Sequence, residues 1–387
     1  MFPLRERMEV GWERRQVAVV GAGPTGVTAA NLLAEGGLDV VLISREREPG
    51  SPTICGEFIP DPEWARSLLP EHLWWVVDYT YELLDLSRTT LTRINVLELR
   101  LGSRRVVELE FPSRVFDRAG FLRAAARRAE RLGAELRLGT TVSEVELQRD
   151  GVGLILNRGR ETTSLHVDWL VAADGIPSTA ARSAGLGPYP EVALAVNQRR
   201  SRVRYPEDRL LMWVDSRVAP GGYAWIIPRG RGTANVGLGY PLPSHRPAAE
   251  YFSNLVARLP QLSDSSPEDE LRGRILPVAG LRARLHVGRL LLAGDAAGTC
   301  IPSNGGGINT GMISGALAGS SIVDGGGGAA YESAMRAHIA PILGRALRFR
   351  RIATLLMKYA PVWDLMSAVL PTGLVRSAVT LSGWPGG

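Results

Sequence analysis

Lysine is almost missing from this 387-residue chain. Lys358 is the only one, although the net charge is +6 and the pI about 9.7. The basic charge is therefore carried by arginines, which are scattered without a run that resembles a nucleic-acid-binding tail. No nucleic-acid partner is expected, and a phosphate-bearing ligand is a better use for some of these arginines. Cysteine is scarce as well: Cys55 and Cys300 are too few to staple a secreted scaffold. The N-terminus, MFPLRERMEVGWERRQ, carries charges where a signal peptide needs an apolar core. No run of about eighteen uncharged apolar residues is present, which argues against a spanning helix. These absences point to a cytoplasmic protein. With 45% hydrophobic and 22% charged residues, the chain has the composition of a folded domain. It is long enough for one large core or for two lobes sharing an interface.

What is present begins at Gln16. QVAVV reads as a buried strand, GAGPTG as a turn, VTAANLLAEGG as a helix ending at a glycine pair, and LDVVLIS as a second strand. Gly21, Gly23 and Gly26 occupy the three glycine positions of a dinucleotide fingerprint, followed here by Pro24 and Thr25 around the helix start. The first glycine permits the tight turn, the second lets backbone approach a pyrophosphate, and the third brings helix and strand close. The helix N-terminus adds partial positive charge for phosphates. The second strand ends at Ser44 and Arg45 where an acid for the ribose is usual, with Glu46 two residues on. On this segment alone, FAD and NADP are not separated.

Two later segments separate them. DWLVAADGIPSTAARSAGL runs a buried strand into Asp174 and Gly175. GRLLLAGDAAGTCIPSNGGGINTGMISGALAG runs another into Gly294 and Asp295, then through Gly305, Gly306 and Gly307 to a helix starting near Ile308 and Asn309. This order of motifs resembles the FAD-dependent superfamily of aromatic hydroxylases and geranylgeranyl reductases. The resemblance implies that Asp295 bonds the ribityl chain or ribose of FAD. It also implies that residues 305–309 lie against the isoalloxazine, where a helix N-terminus stabilises charge at N1 and O2. In that group an arginine near the start of SRVFDRAGFLRAAARRAERLGAEL contacts the cofactor. Arg114 is the expected residue and Arg118 the other candidate.

Residues from about 186 to 271, with 91–111, show short strand-like segments separated by Gly, Pro and charged turns. The expected fold class is α/β: a Rossmann-like FAD-binding lobe (1–75, 112–185 and 272–325) interrupted by an antiparallel substrate sheet (76–111 and 186–271). C-terminal helices follow over 326–387. The stretch Pro220-Gly-Gly-Tyr223-Ala-Trp225-Ile-Ile-Pro228 matches the Pro-x-x-Tyr-x-Trp-x-Phe-Pro box of the geranylgeranyl reductase family except at Ile227. Cys55-Gly-Glu57 follows the second strand, as in that family. The resemblance implies reduction of carbon–carbon double bonds with reduced FAD, hydride passing at flavin N5. Cys55, Glu57 and Cys300 would then stand near the flavin, and Tyr223, Trp225 and Pro228 would line the cavity for an apolar isoprenoid- or polyketide-like substrate. Ile227 leaves the cavity shape open. Residue by residue, Tyr223 and Trp225 are equally readable as core aromatics on one sheet face, and both cysteines as inert buried thiols.

Two other flavin chemistries use the same motifs. A monooxygenase stays as the alternative reading. A halogenase, whose Trp-x-Trp-x-Ile-Pro box the stretch also approaches, is disfavoured because no lysine precedes Lys358. No second dinucleotide fingerprint is present, so the electron donor is either transiently bound NAD(P)H or a small redox protein. No metal site is expected. The C-terminal segment carries Arg345, Arg348, Arg350 and Arg351 before a heavily apolar stretch. It reads either as helices packed over the substrate lobe or as a surface resting on a membrane.

Overall fold

In the computed structural model, residues 12–103 and 105–381 are described. The charged extreme N-terminus, residues 1–11, lies outside them, as do residues 382–387. Two sheets organise the chain. The first contains β1 (Glu13–Val20), β2 (Val40–Ser44), β6 (Glu135–Leu138), β7 (Thr141–Leu147), β8 (Val152–Arg158), β9 (Glu161–Ala172), β16 (His286–Val287) and β17 (Leu290–Leu292). Its order is β16-β17-β9-β1-β2-β6, with β8 also pairing with β9 and β7 with β8. The strands β17, β9, β1, β2 and β6 run parallel, and in the central register Val17, Ala18, Val19 and Val20 of β1 sit beside Val40 to Ile43 of β2. Such strands are buried on both faces, which is why the sequence shows continuous apolar runs there. Helices α1 (Pro24–Glu35), α5 (Arg118–Arg131), α6 (Thr179–Ser183), α8 (Ile308–Val323) and α9 (Gly327–Ala334) accompany this sheet.

The second sheet holds β3 (Phe58–Pro60), β4 (Thr90–Leu101), β5 (Arg105–Phe116), β10 (Val192–Ser201), β11 (Arg209–Val214), β12 (Tyr223–Gly230), β13 (Thr233–Pro241), β14 (Ser266–Pro267) and β15 (Arg272–Pro277). Its order is β14-β10-β13-β12-β11-β4-β5-β3, with β15 also on β10, and only the β11–β4 pair is parallel. One face carries α7 (Ala248–Arg258), with Tyr251, Phe252 and Leu255 buried against Val236, Leu238 and Ile226. On the other face, Leu97, Leu99, Leu109, Met212, Trp225 and Ile227 share a core with Met357, Trp363 and Val375. The last three belong to the C-terminal helices α10 (Ala340–Leu356, with Met357 as its cap), α11 (Ala360–Val369) and α12 (Thr372–Thr380).

The segment following β3 differs from the sequence expectation. Residues from 76 were expected with the substrate sheet. Instead α2 (Pro62–Ser67) and α3 (Trp74–Leu84) precede the short α4 (Leu86–Thr89), and Val76, Val77, Leu83 and Leu84 of α3 are buried in the core of the first sheet. The helical spacing of those four side chains forms one apolar stripe, so burial against α8 and α5 wins over the sheet assignment. β5 also continues past residue 111 to Phe116.

Candidate active site

The β1–α1 turn is built by close backbone approach. Gly21 has φ +106°, and a Cβ there would come within 2.2 Å of the Ala173 carbonyl oxygen. A Cβ on Gly26 would lie 1.7 Å from the oxygen of Gly21, whereas one on Gly23 would meet nothing within 4 Å. Pro24 is the first helical residue of α1, where its missing N–H costs nothing. Thr25 faces α8: a Cβ on Gly294 would stand 2.4 Å from its Oγ1, and one on Gly315 2.3 Å from its carbonyl oxygen. Pro24, Thr25 and Gly26 therefore hold the turn and the α1–α8 contact, while Gly21 and Gly23 line a cavity.

That cavity, about 150 Å³, is walled by Gly21, Gly23, Ser44, Arg45, Glu46, Arg118, Asp174 and Arg274. Ser44 Oγ accepts from the Glu46 N–H at 3.2 Å. Asp174 Oδ2 accepts from the N–H groups of Thr179 (2.8 Å) and Ala180 (3.3 Å), capping α6. Its Oδ1 is buried without a partner, and burial pushes its pKa up. Gly175, at φ +73°, turns the chain beneath Arg274. An orphaned acceptor, open space above Gly23, an α1 N-terminus without a side-chain cap and three arginines form a donor and acceptor set that fits FAD. The residues that would hold it are Gly21, Gly23, Ser44, Glu46, Arg118 and Asp174.

Arg114 is not among them. Its Nη1 lies 3.1 Å from Oδ1 of Asp61, which sits between β3 and α2. Asp117 then caps α5 through the Gly120 N–H at 2.9 Å, which delivers Arg118, buried, to the cavity wall. Choosing between the two arginines required knowing where β5 ends.

Arg274 also lines a second, larger cavity of about 290 Å³ between the second sheet and residues 301–310. Asp295 Oδ2 stands 3.9 Å from Arg274 Nη2. Burial raises its pKa, opposed by Arg274 and Arg118. Gly294, at φ +63°, is fixed by its N–H donating to Ser314 Oγ at 2.8 Å. Gly305, Gly306, Gly307, Ile308 and Asn309 line the cavity where α8 begins without a side-chain cap. Asn309 Nδ2 donates to the Tyr81 hydroxyl at 3.1 Å, and Asn309 Oδ1 and Thr310 Oγ1 are buried without partners.

Cys55 and Glu57 line this cavity too. Burial pushes the Cys55 thiol above its usual 9.0, although Arg118, Arg274 and Arg229 pull the other way. Glu57 has φ +57°, donates its N–H to Cys55 Sγ at 3.3 Å, and forms a buried ion pair with Arg229. Cys300 does not join them. It is fully buried, its neighbour is the Ile301 carbonyl at 4.0 Å, and burial raises its thiol pKa further still. The sequence placed it in the right loop, but the loop turns its side chain into the core.

Tyr223, Trp225 and Ile227 alternate along β12 and all face the cavity. Tyr223 donates its hydroxyl to the Asn304 carbonyl, and the Tyr223 and Trp225 rings pack at a tilt of 53° with centroids 5.7 Å apart. Pro228 is buried but, one residue out of phase, it points to the opposite face and is not part of the wall. Motif reading missed Arg274, Arg229 and Asn235, whose Nδ2 donates to the Cys55 carbonyl oxygen at 3.0 Å. Arg229 directly follows the box and was within reach, while Arg274 and Asn235 belong to strands without a motif. Among the described residues no group of acidic, His or Cys side chains is placed to hold a metal ion, and no helix is long and apolar enough to cross a membrane.

Residues 14–52 and 119–336 match the family profile of the FAD binding domain. A digeranylgeranylglycerophospholipid reductase of Methanopyrus kandleri is 33% identical over 315 residues, covering 80% of each chain. One from Methanosphaera stadtmanae is 31% identical over 310 residues, 79% of this chain and 74% of that one. Among solved structures, a geranylgeranyl bacteriochlorophyll reductase-like protein of Thermoplasma acidophilum superposes with a TM-score of 0.82 over 93% of this chain and 92% of that one, at 24% identity. The halogenase PltM, solved with FAD, shares the fold at a TM-score of 0.70 and 16% identity, over 95% of this chain and 82% of that one. With the profile spanning most of the chain and relatives above 30% identity along four-fifths of it, the chain belongs to the geranylgeranyl reductase-like family of FAD-dependent oxidoreductases.

Proposed function

We propose that this chain saturates carbon–carbon double bonds in the isoprenoid chain of a lipid. The observation that carries the reading is the larger cavity: its wall is apolar along β4, β11 and β12, and Cys55, Glu57 and Arg274 converge at one end. Reduced FAD, when bound, supplies the hydride for such a reduction. The protein's own residues do the rest. The aromatic wall of Tyr223 and Trp225 orients an apolar chain and excludes water. The Cys55 thiol, kept protonated by burial, holds a proton at Sγ for the second carbon. The Glu57–Arg229 pair fixes the loop that carries it. Anaerobic reoxidation of the reduced protein by a polyprenyl substrate tests this directly; reoxidation only by dioxygen, with oxygen entering the product, would support the monooxygenase instead. The electron donor is read as transiently bound NAD(P)H or a small redox protein, since neither cavity carries a second glycine fingerprint.

We also infer that the chain works on an anionic lipid surface. Helices α10 to α12 cover the second sheet with one face, through Met357, Trp363 and Val375, and present another outward. On that outward face Ile352, Leu355, Tyr359, Val362, Leu365 and Val369 are exposed, Leu355 by 71% and Leu365 by 69%. The exposed charges among them are all basic: Arg348, Arg351, Lys358 and Arg376. The single acid of the segment, Asp364, accepts from the Ser103 N–H at 3.0 Å and pairs with Arg217. Apolar helices rimmed only by cations suit the interface of an anionic bilayer.

A further inference from the structure

The apolar cavity ends at an arginine that the reduction chemistry does not use. Its inner end is fixed by Cys55, whose carbonyl accepts from Asn235, the β13 residue paired with Ile227 of β12. Its other end lies past the start of β12, at Gly221, Gly222, Tyr240 and Pro241, where Arg350 of α10 forms part of the wall. From Ile227 back to Tyr223 the strand runs four residues, about 13 Å at roughly 3.3 Å per residue, and Gly222 and Gly221 continue the wall beyond it. A chain lying along β12 would therefore have its reactive part at Cys55 and its terminus at Arg350.

This terminus has donors to spare. Arg350 Nε is buried without a partner, and so is the hydroxyl of Thr354, one helical turn on. The Thr354 methyl lies 3.4 Å from where a Cβ on Gly221 would be, which puts this residue beside the wall. Arg350 forms an ion pair with Glu191, and the same carboxylate accepts from Arg351 at 2.9 Å. Two guanidinium groups thus share one carboxylate, leaving a net charge of +1 beside two unused buried donors. Glu191 is 40% exposed and Arg351 62%, so this end opens to solvent. Unpaired buried donors next to excess positive charge call for an anion with several acceptor oxygens.

We propose that Arg350 and Thr354, with Arg351 at the rim, form a binding site for a phosphate-class headgroup at the outer end of the lipid cavity. Glu191 occupies the arginines when the headgroup is absent and competes with it. The site rests on the reading of the cavity as a lipid-chain channel, and it adds polarity to that channel: headgroup at α10, double bonds toward Cys55.

The test uses the full-length, FAD-loaded protein and saturated ligands, so that binding is read without any double bond to reduce. Isothermal titration compares a saturated C20 isoprenoid monophosphate, the parent alcohol and inorganic phosphate. The native protein is expected to bind the monophosphate at least about tenfold more tightly than the alcohol. Arg350→Gln should abolish that preference. Thr354→Val should reduce it a few-fold. Glu191→Gln should widen it, an outcome that a purely structural ion pair does not give. An unchanged preference in Arg350→Gln, or weaker phosphate binding in Glu191→Gln, overturns the proposal. Inorganic phosphate that binds as tightly as the lipid phosphate, without competition from the alcohol, would assign the site to free phosphate and overturn the headgroup reading. Because none of these ligands can be reduced, a failed reductase assay leaves this result standing, and the reverse holds as well.

Discussion

Asn235 holds Cys55 in place. Its Nδ2 donates to the Cys55 carbonyl oxygen at 3.0 Å while its Oδ1 accepts from the Trp225 indole N–H at 2.8 Å. One fully buried amide on β13 thus ties the cysteine loop to an aromatic of the cavity wall, with Asn197 Nδ2 adding a longer contact to the same carbonyl at 3.4 Å. Asn235→Leu leaves a buried N–H and a buried carbonyl poorly satisfied. The expected cost is about 1–3 kcal/mol for each, read by urea denaturation. Turnover should fall along with stability, because the loop loses its anchor.

The glycines of the first turn should separate by role. Gly23→Ala has room for its methyl and an ordinary extended backbone (φ −77°), so stability is expected to hold. The methyl occupies the cofactor cavity, so FAD affinity should drop at least about tenfold, measured by equilibrium flavin fluorescence. Gly26→Ala meets the Gly21 oxygen instead and should be destabilised before any effect on cofactor is seen.

Cys55→Ser tests the proton-holding role. With the thiol pKa raised by burial, Cys55 carries its proton through neutral pH and beyond 9.0. The native rate should therefore stay level up to about pH 9 and decline only above it, as the thiol ionises. The serine variant, whose hydroxyl does not ionise in this range, should lose that decline. Its kcat is expected to be about 100-fold lower at pH 7, with KM little changed. An unaltered kcat would return Cys55 to a packing role.

Arg229→Met removes the partner of a carboxylate that is only 2% exposed. Breaking one side of a buried pair costs about 3–5 kcal/mol. The double variant Glu57→Gln/Arg229→Met should recover part of that loss, since no uncompensated charge remains. Comparing the two in denaturant distinguishes charge compensation from simple loss of packing.

Flotation with vesicles containing anionic lipid should carry the native protein upward. Leu365→Glu/Val369→Glu places charge on the outward face of α11, opposite the buried Trp363 and Ser367. It should leave the protein in the dense fraction while FAD content stays normal. Equal flotation of both proteins would remove the membrane reading.

Much of the cofactor lobe was legible because its signals are local. A parallel strand buried on both faces must be continuously apolar, and a pyrophosphate turn must be glycine where backbone meets backbone, so β1, β2, β9 and the turns at Gly21 and Gly294 announce themselves in order. The Tyr223–Pro228 box was legible as a strand for the same reason. The period of two that puts Tyr223 and Trp225 on one face also puts Ile227 on the cavity and turns Pro228 away.

What tertiary structure decided are the residues whose role depends on where distant segments meet. Arg118 and Arg114 are alike in sequence, and only the end of β5 and the Asp117 cap send Arg118 to the cofactor cavity. Cys300 and Cys55 both stand in loops flanking the site, yet one side chain enters the core and the other the cavity. Arg229, Arg274, Asn235 and Arg350 come to the site from four separate elements, and no spacing along the chain encodes that meeting. The sequence by itself determined the cofactor lobe, because close packing against a phosphate group leaves a short-range pattern. The environment of the reacting end was left to long-range packing, since charge and burial around Cys55 are set by neighbours as distant in the chain as Arg274 and Asp295.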